Sequence, residues 1–231
     1  MAGNLISCDY TANKIYIHSG TTVTVSSSFA TPGTLCYGLT FDGTNLISSD
    51  FSDKIYIHVG ITASVSSSFS GPATHPSGLA FDKTNLISCD HSANKIYIHS
   101  GVSVTVSSSF ASPNGGAIGL AFDGTNLISC DYVSHKIYVH SGVTVTVSSS
   151  FAEAGDFAMG LAFDGTNLIS CDHILNKIYI YTGITASISS SFAAPATYPS
   201  GLTLDGIPSD DEAVKTIFNR MYNTPFNQPF N

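Results

Sequence analysis

An aspartate recurs five times at intervals of 40 or 41 residues, and the side chain that follows it is always planar. These planar residues are Tyr10, Phe51, His91, Tyr132 and His173. A flat ring can stack on the apolar face of a sugar while its polar edge stays hydrated. Polar side chains a few residues further on are candidates to bind sugar hydroxyls: Asn13, Asp53, Asn94, His135 and Asn176. The pattern predicts ligand contact or, alternatively, packing of each ring against the neighbouring repeat.

The recurring carboxylates are themselves candidates for acid–base chemistry. One set is Asp9, Asp50, Asp90, Asp131 and Asp172, and a second set is Asp42, Asp82, Asp123, Asp164 and Asp205. A glycoside hydrolase needs two carboxylates in different environments, about 5–9.5 Å apart. Equivalent residues of a repeat do not supply that asymmetry. The second set is also a candidate cation site, but turn hydrogen bonds explain both sets more simply. We therefore predict no catalytic residue.

Histidines and cysteines recur as well, at positions where structural roles are expected. Four histidines share one repeat position, with a tyrosine in the fifth copy: His18, His58, His99, His140 and Tyr181. One residue per repeat, far from a common axis, cannot meet at a metal ion. Four cysteines share another position, with Ser49 in the remaining copy: Cys8, Cys89, Cys130 and Cys171. We predict buried free thiols there, and no metal or cofactor. Cys36 is expected on the variable face and is a candidate reactive thiol.

The elements that position these residues are short strands in a repeated unit. Four motifs recur in every copy: Asn-Leu-Ile-Ser, Lys-Ile-Tyr, Ser-Ser-Ser-Phe and Gly-Leu-(Ala/Thr)-(Phe/Leu)-Asp. They predict strands A (Gly-Leu-Ala-Phe-Asp), B (Asn-Leu-Ile-Ser-Cys), C (Lys-Ile-Tyr-Ile-His) and D, a β-branched alternating segment such as 143–147. A glycine after strand C, such as Gly20, turns the chain into D. Four strands per unit and a period near 41 residues are typical of a β-propeller.

The two ends of the repeated region predict how the ring closes. The first unit begins at strand B and lacks strand A, whereas an unmatched strand A stands at 201–205. Pairing of these two segments would complete the N-terminal blade and remove open sheet edges. The sequence therefore predicts an all-β, five-bladed propeller over residues 1–206.

The third A strand in the chain and the strands that follow it resemble the NHL repeat. The residues are Gly-Leu-Ala-Phe-Asp-Gly-Thr-Asn-Leu-Ile-Ser-Cys-Asp at 119–131, followed by Lys-Ile-Tyr-Val-His at 136–140. The resemblance covers strands A to C of every unit and implies a β-propeller. Rings of that family usually have six blades, whereas this chain has five repeats. Five-bladed rings also occur among tachylectin-like lectins and some glycoside hydrolases, which is an analogy of fold alone.

The copies differ from one another in only two of their four connections. The A–B and C–D turns scarcely vary, whereas the B–C and D–A loops vary widely, and in a propeller these two pairs lie on opposite faces. We call these the constant face and the variable face. Loops on a rigid scaffold carry binding chemistry, so the variable face is the expected working face. Its D–A loops add Tyr37, His75 and Tyr198 to the candidate ligand contacts.

The C-terminal segment 207–231 has a different pattern. Ser209-Asp-Asp-Glu212 is a capping box, and apolar residues then follow at helical spacing at Val214, Ile217, Phe218 and Met221. We predict an amphipathic helix over about 210–223, ended by Pro225, and an aromatic end with Phe226 and Phe230. These apolar residues are candidates to cap the propeller or to dock on a partner subunit.

Composition excludes several classes of function. The 231 residues carry a net charge of −8 with only 8 Lys and Arg, which argues against nucleic acid and anionic membrane surfaces as partners. No apolar stretch is long enough to insert in a membrane. No signal peptide is visible, and the odd number of cysteines favours synthesis in a reducing cytosol. Few charges and Ser/Thr-rich strands are typical of surface proteins. A virion component, made in the cytosol and exposed on a particle, would satisfy both expectations.

Three functions follow from this pattern, in descending order of support. The first is non-enzymatic, multivalent recognition of a glycan or other cell-surface ligand through the variable face. The second is a structural or protein-interaction propeller that assembles through the 210–231 tail. The third is a glycoside-hydrolase-like enzyme, which requires one blade to depart from the others.

Overall fold

The computed structural model describes residues 3–206, and all twenty regular elements in that range are β-strands. They form five four-stranded antiparallel sheets, each running from an inner strand A to an outer strand D. The first blade consists of β20 (Pro199–Leu204), β1 (Leu5–Asp9), β2 (Lys14–His18) and β3 (Val25–Ala30). The second consists of β4 (Cys36–Phe41), β5 (Leu46–Asp50), β6 (Lys54–His58) and β7 (Val65–Ser70).

The remaining three blades repeat the same order along the chain. The third contains β8 (Pro76–Phe81), β9 (Leu86–Asp90), β10 (Lys95–His99) and β11 (Val106–Ala111). The fourth contains β12 (Ala117–Phe122), β13 (Leu127–Asp131), β14 (Lys136–His140) and β15 (Val147–Ala152). The fifth contains β16 (Ala158–Phe163), β17 (Leu168–Asp172), β18 (Lys177–Tyr181) and β19 (Ile188–Ala193). The predicted five-bladed, all-β propeller is confirmed.

The ring closes between the two ends of the repeated region, as predicted. Strand β20 pairs antiparallel with β1, with Leu204 opposite Leu5. The Asn4 backbone N–H donates to Asp205 Oδ1 at 2.6 Å, and Asn4 Nδ2 donates to Asp205 Oδ2 at 2.8 Å. The first and last strands therefore share one sheet.

The core lies between adjacent blades. Every residue of each strand B is buried, including its polar residues. The strand A glycines allow the inner strands to approach closely, because a Cβ at Gly119 would clash with the Met159 carbonyl oxygen. Apolar residues of one blade pack on the next, as when Leu5 joins Ile169 and Ile178 in one cluster. The faces of each blade are thus buried only because adjacent blades pack against them.

The histidines that end strand C are buried and hydrogen-bonded. In the fourth blade, His140 Nε2 lies 3.0 Å from Ser129 Oγ, and His140 Nδ1 lies 2.8 Å from the Thr144 carbonyl oxygen. The carbonyl requires a proton on Nδ1, so Nε2 accepts from the serine. In the fifth blade, Tyr181 bonds to Ser170 and also accepts the Ala154 N–H at 2.9 Å.

Two predictions about local structure are wrong. Strand D begins at Val147 rather than Val143, because residues 141–146 form a turn that the Ser141 N–H closes on the Thr146 carbonyl. Cys36 is buried and, like the other four cysteines, forms no disulfide. Burial raises the pKa of its thiol, so it lacks the thiolate character of a reactive cysteine.

The predicted helix over 210–223, with its docking residues, lies outside the described residues. Within 3–206 there is no helix long and apolar enough to span a bilayer.

Candidate functional site

The hydrogen bonds define the two faces of the ring. On the constant face, Asn45 Oδ1 of an A–B turn accepts the Gly60 N–H of a C–D turn at 3.0 Å. On the variable face, the Asn13 carbonyl of a B–C loop accepts the Thr31 N–H at the start of a D–A loop at 3.0 Å. The variable loops are therefore neighbours at one end of the channel.

Six aromatic side chains of the variable face form a closed ring. In order around it they are Tyr10, Tyr37, His91, Tyr132, Phe157 and His173. The separations between successive ring centroids are 5.2, 6.0, 6.3, 5.8, 5.9 and finally 6.2 Å back to Tyr10. Tilted and edge-on contacts of this length are favourable between aromatic groups. We call these six residues the axial aromatic ring.

The axial aromatic ring surrounds one cavity of about 290 Å³, to which Ile118 and Met159 also contribute. The order of the six residues places His91 opposite His173, and Tyr10 opposite Tyr132. Four blades contribute the planar residue after the fixed aspartate, but in the second blade Tyr37 takes that place. Phe51 stacks outside it, with centroids 5.8 Å apart.

Phe51 and two other predicted contacts form a second layer beside the ring. His75 lies 4.4 Å from Phe51, and Tyr198 lies 4.8 Å from His173, measured between centroids. Phe51 and Tyr198 are exposed. The predicted aromatic residues therefore pack against one another across neighbouring blades, and some of them also line a cavity. Their contact with a ligand stays a prediction.

The electrostatics of the axial aromatic ring favour neutral side chains. Burial lowers the pKa of His91 and of His173, so both imidazoles are neutral at pH 7. Burial, with Tyr10 nearby, raises the pKa of Tyr37 and keeps its phenol protonated. The Nδ1 atoms of both histidines are buried and have no hydrogen-bond partner within residues 3–206. An unpaired acceptor costs less there than an unpaired donor, so the proton belongs on Nε2.

The fixed aspartates hold the loops in this arrangement. Asp172 Oδ1 accepts the Ile174 and Leu175 N–H groups of the B–C loop, and its Oδ2 accepts the Asp156 and Phe157 N–H groups of the D–A loop. In the first blade, Asp9 likewise bonds both loops. The expected binding of local backbone amides is thus observed. In four of the five blades the carboxylate thus joins the two loops that carry the ring residues.

The polar residues predicted to bind sugar hydroxyls share an unusual backbone conformation. The φ angles of Asn13, Asp53, Asn94, His135 and Asn176 are 51°, 65°, 55°, 53° and 55°. Asn, Asp and His tolerate this left-handed region better than most residues, so the turn alone explains the residue types. Ligand contact by these five side chains stays a prediction.

Sequence reasoning missed one departure from the repeat. Glu153 is the only charged residue at its position, where other copies have Thr31, Gly71, Ser112 and Ala194. Its buried carboxylate bonds His135 Nδ1 at 3.0 Å through Oε1, while Oε2 has no partner in the described chain. Burial raises the pKa of Glu153. The sequence contained the evidence for this pair, because this copy alone has a Glu at the position of Thr31 together with a His at the position of Asn13.

Phe157, Ile118 and Met159 were also missed as lining residues. Phe157 stands three residues before the strand A glycine, as His75 and Tyr198 do in their copies, so alignment of the repeats would have found it. Ile118 and Met159 share the position of Tyr37, directly before that glycine. Among residues 3–206, no three His, Cys, Asp or Glu side chains converge as a metal site.

Comparison with known proteins supports the fold without assigning a family. No family model matches the chain, and no curated protein does. The chain is similar to one in a crystal structure of a nidogen/laminin complex, with a TM-score of 0.63 and 16% identity, covering 88% of this chain and 98% of that one. A glutaminyl cyclase of Myxococcus xanthus gives a TM-score of 0.58 at 11% identity, covering 82% and 76%.

A chain of a mitotic checkpoint complex is also similar, with a TM-score of 0.52 and 14% identity, covering 84% of this chain and 61% of that one. At these identities the likeness concerns the β-propeller fold alone. The resemblance to the NHL repeat is not confirmed as family membership.

Proposed function

We propose that the axial aromatic ring binds one neutral saccharide residue, so that the protein is a non-enzymatic, glycan-binding propeller. The observation that carries this proposal is the closure of six aromatic side chains around a single cavity on the variable face. A cavity of about 290 Å³ lies at the small end of ligand sites. It suits one sugar ring rather than an extended chain.

The chemistry of the walls favours a sugar over a charged ligand. Aromatic faces stack on the apolar C–H face of a pyranose, while phenol groups and imidazole N–H groups bond its hydroxyls. His91 and His173 are neutral and stand on opposite sides, so they can bond both edges of one ligand. The fixed aspartates are occupied by backbone amides. A charged ligand would therefore find no counter-charge in the ring.

The geometry favours one ligand per chain rather than five. The sequence pattern suggested five equivalent ligand sites, one per blade, but loops of all five blades contribute to the same cavity. Multivalency would then require several chains side by side.

The test is a glycan array followed by calorimetric titration of the best-binding glycan. Tyr132→Ala removes one wall of the cavity, and we expect binding at least ~10-fold weaker. Phe51→Ala is the matched control, because Phe51 is a planar residue of the same repeat position that lies outside the ring. We expect it to bind as the native protein does, with one glycan per chain.

Other outcomes would select the alternatives. Equal losses in both variants with several glycans per chain would indicate five peripheral sites. Binding to no glycan would move the preference to a protein ligand, since a similar fold occurs in a nidogen/laminin complex. Release of a cleaved sugar would indicate an enzyme, with the Glu153–His135 pair as the first residues to replace. Display on a virion or cell surface is part of the hypothesis, and purified particles without this chain would contradict it.

A further inference from the structure

The constant face contains a second, larger cavity at the other end of the channel. Its volume is about 630 Å³. Leucines from all five inner strands form its depth, and half-buried aromatic rings surround its mouth in four blades. These residues are Leu39, Leu79, Leu120, Leu161 and Leu202, with Phe41, Phe81, Phe122 and Phe163. Such an apolar cavity on a repeated, invariant surface is unlike the polar turns around it.

The rim of this cavity is acidic. Asp42, Asp123 and Asp205 lie in its lining, against Lys83 as the only cation among the described lining residues. In each A–B turn the aspartate bonds backbone N–H groups, as Asp123 Oδ1 does with Thr125 and Asn126. These bonds fix the carboxylates at the mouth without neutralising their charge.

The chain leaves the propeller at this rim. Leu204, Asp205 and Gly206 are part of the cavity lining, and 25 residues follow them. Fully extended, such a segment reaches roughly 80 Å, so length does not prevent any part of it from returning to the mouth. Its attachment at the rim also gives it a high effective concentration there.

The composition of the second part of this segment complements the cavity. Asp210, Asp211 and Glu212 precede that part, and residues 213–231 contain Lys215 and Arg220 and no acidic side chain. Their apolar residues are Val214, Ile217, Phe218, Met221, Phe226 and Phe230, together with Ala213 and Tyr222. Apolar side chains suit the walls, and the two basic residues suit the aspartates of the rim.

We propose that residues 207–231 bind in the constant-face cavity of their own chain, with apolar side chains inside it and Lys215 and Arg220 facing the acidic rim. This occupant is favoured over a second copy because its attachment point is already part of the site. The constant face is thus an intramolecular docking site, separate from the ligand site on the variable face.

Hydrogen exchange of the full-length protein, read by mass spectrometry, tests the proposal. In the native chain we expect amides of 207–231 to exchange at least ~10-fold more slowly than in an unstructured peptide. Ile217→Ser with Phe218→Ser should abolish that protection. Ala121→Arg should do the same from the other side, because Ala121 lines the cavity. Thr216→Ser is the control in the tail and should leave protection unchanged.

Three outcomes would overturn the proposal. The tail of the native chain would exchange freely, or its protection would survive both variants, or protection would rise with protein concentration together with a dimeric mass. The last outcome would assign the cavity to a second copy. Slow exchange of the strand amides in residues 3–206, read in the same measurement, reports that the propeller of each variant is still folded. The test therefore does not depend on glycan binding, and failure here is separate from failure of the proposed function.

Discussion

The two faces of the propeller use the same type of residue for different ends. On the constant face, the A–B aspartates of four blades make the same two bonds: Asp42 accepts the Thr44 and Asn45 N–H groups at 2.8 and 2.6 Å, and Asp164 accepts those of Thr166 and Asn167 at the same distances. On the variable face, the fixed aspartate anchors loops whose side chains differ. The repeated aspartates there fix the backbone conformation of the loops, and the side chains that differ between copies determine what the surface can bind.

The second blade shows how far that freedom extends. Asp50 Oδ2 bonds the Tyr56 and Ser52 hydroxyl groups, where the other blades bond a backbone N–H of the D–A loop. In this blade Tyr37 enters the axial aromatic ring and Phe51 lies outside it. In this blade the changed hydrogen bonds of Asp50 accompany the replacement of Phe51 by Tyr37 in the ring. The turns of the constant face keep their hydrogen bonds.

The largest difference between the faces should appear when one aspartate of each is removed. Asp172→Ala leaves four backbone N–H groups without their buried acceptor, and we expect about 3–5 kcal/mol lower free energy of unfolding. Asp164→Ala exposes two N–H groups that water can reach, so we expect a loss of about 1 kcal/mol. Urea unfolding measures both, and equal losses would remove the distinction between the faces.

The departure at Glu153 predicts a smaller effect confined to the variable face. His135→Asn restores the residue type of three other copies but leaves the buried Glu153 carboxylate without its partner. We expect a loss of about 1–2 kcal/mol at pH 7. Adding Glu153→Thr, which reproduces the Asn13 and Thr31 pair of the first blade, should recover most of it. A double variant no more stable than the single one would contradict the pairing.

The buried strand C histidines make the constant side sensitive to acid. Burial lowers the pKa of His140 below its value in the unfolded chain, so the unfolded chain binds more protons once the pH falls below about 6.5. Stability is fully present above that pH and is lost as the pH falls. Each such histidine contributes a slope of at most ~1.4 kcal/mol per pH unit.

His140→Gln keeps a donor and an acceptor but does not titrate, so the acid-side slope should decrease by up to that amount. Unfolding measured between pH 7 and pH 4.5 checks this. A second variant that does not titrate in this range is Pro113→Ala with His140→Tyr, which copies the Ala154–Tyr181 pair of the fifth blade. It should decrease the slope by the same amount. An unchanged slope in both variants would show that this histidine does not control acid stability.

The interior between the two faces should be the least sensitive. Ser49 already replaces the cysteine of this position and accepts the Gly38 N–H at 2.9 Å, as Cys89 accepts that of Gly78. Cys171→Ser should therefore cost less than ~1 kcal/mol. A much larger loss in urea would indicate that the thiols contribute more packing than the second blade suggests.

The architecture could be predicted because the repeat states it five times. Strand order, blade number and closure through β20 all follow from the order of motifs. The start of strand D could not be placed, because Val143 and Thr144 have the same β-branched character as the strand that follows. There the turn hydrogen bonds override local propensity.

The candidate site was harder to predict than its residues. The sequence indicates which residues lie on the variable face, but not their distance from the axis. Five equivalent sites and one shared axial aromatic ring therefore give the same sequence pattern. Asn13 and its equivalents were interpreted by their polarity, although their positive φ explains them. The pairing of Glu153 with His135 occurs in one copy, where a repeat analysis has least to compare.

The sheet shared by β1 and β20 has a consequence for synthesis. The bonded residues Asn4 and Asp205 are 201 positions apart, so at about 5–20 residues per second the first strands wait some 10–40 s for their partner. Meanwhile β1 presents an unpaired edge, and three inner strands with the same Gly-Leu-Ala-Phe-Asp sequence emerge before β20. Pairing of β1 with one of them would leave another blade without its inner strand, whereas pairing with β20 completes all five. We therefore expect correct closure to be selected by the completeness of the ring rather than by the sequence of the strand.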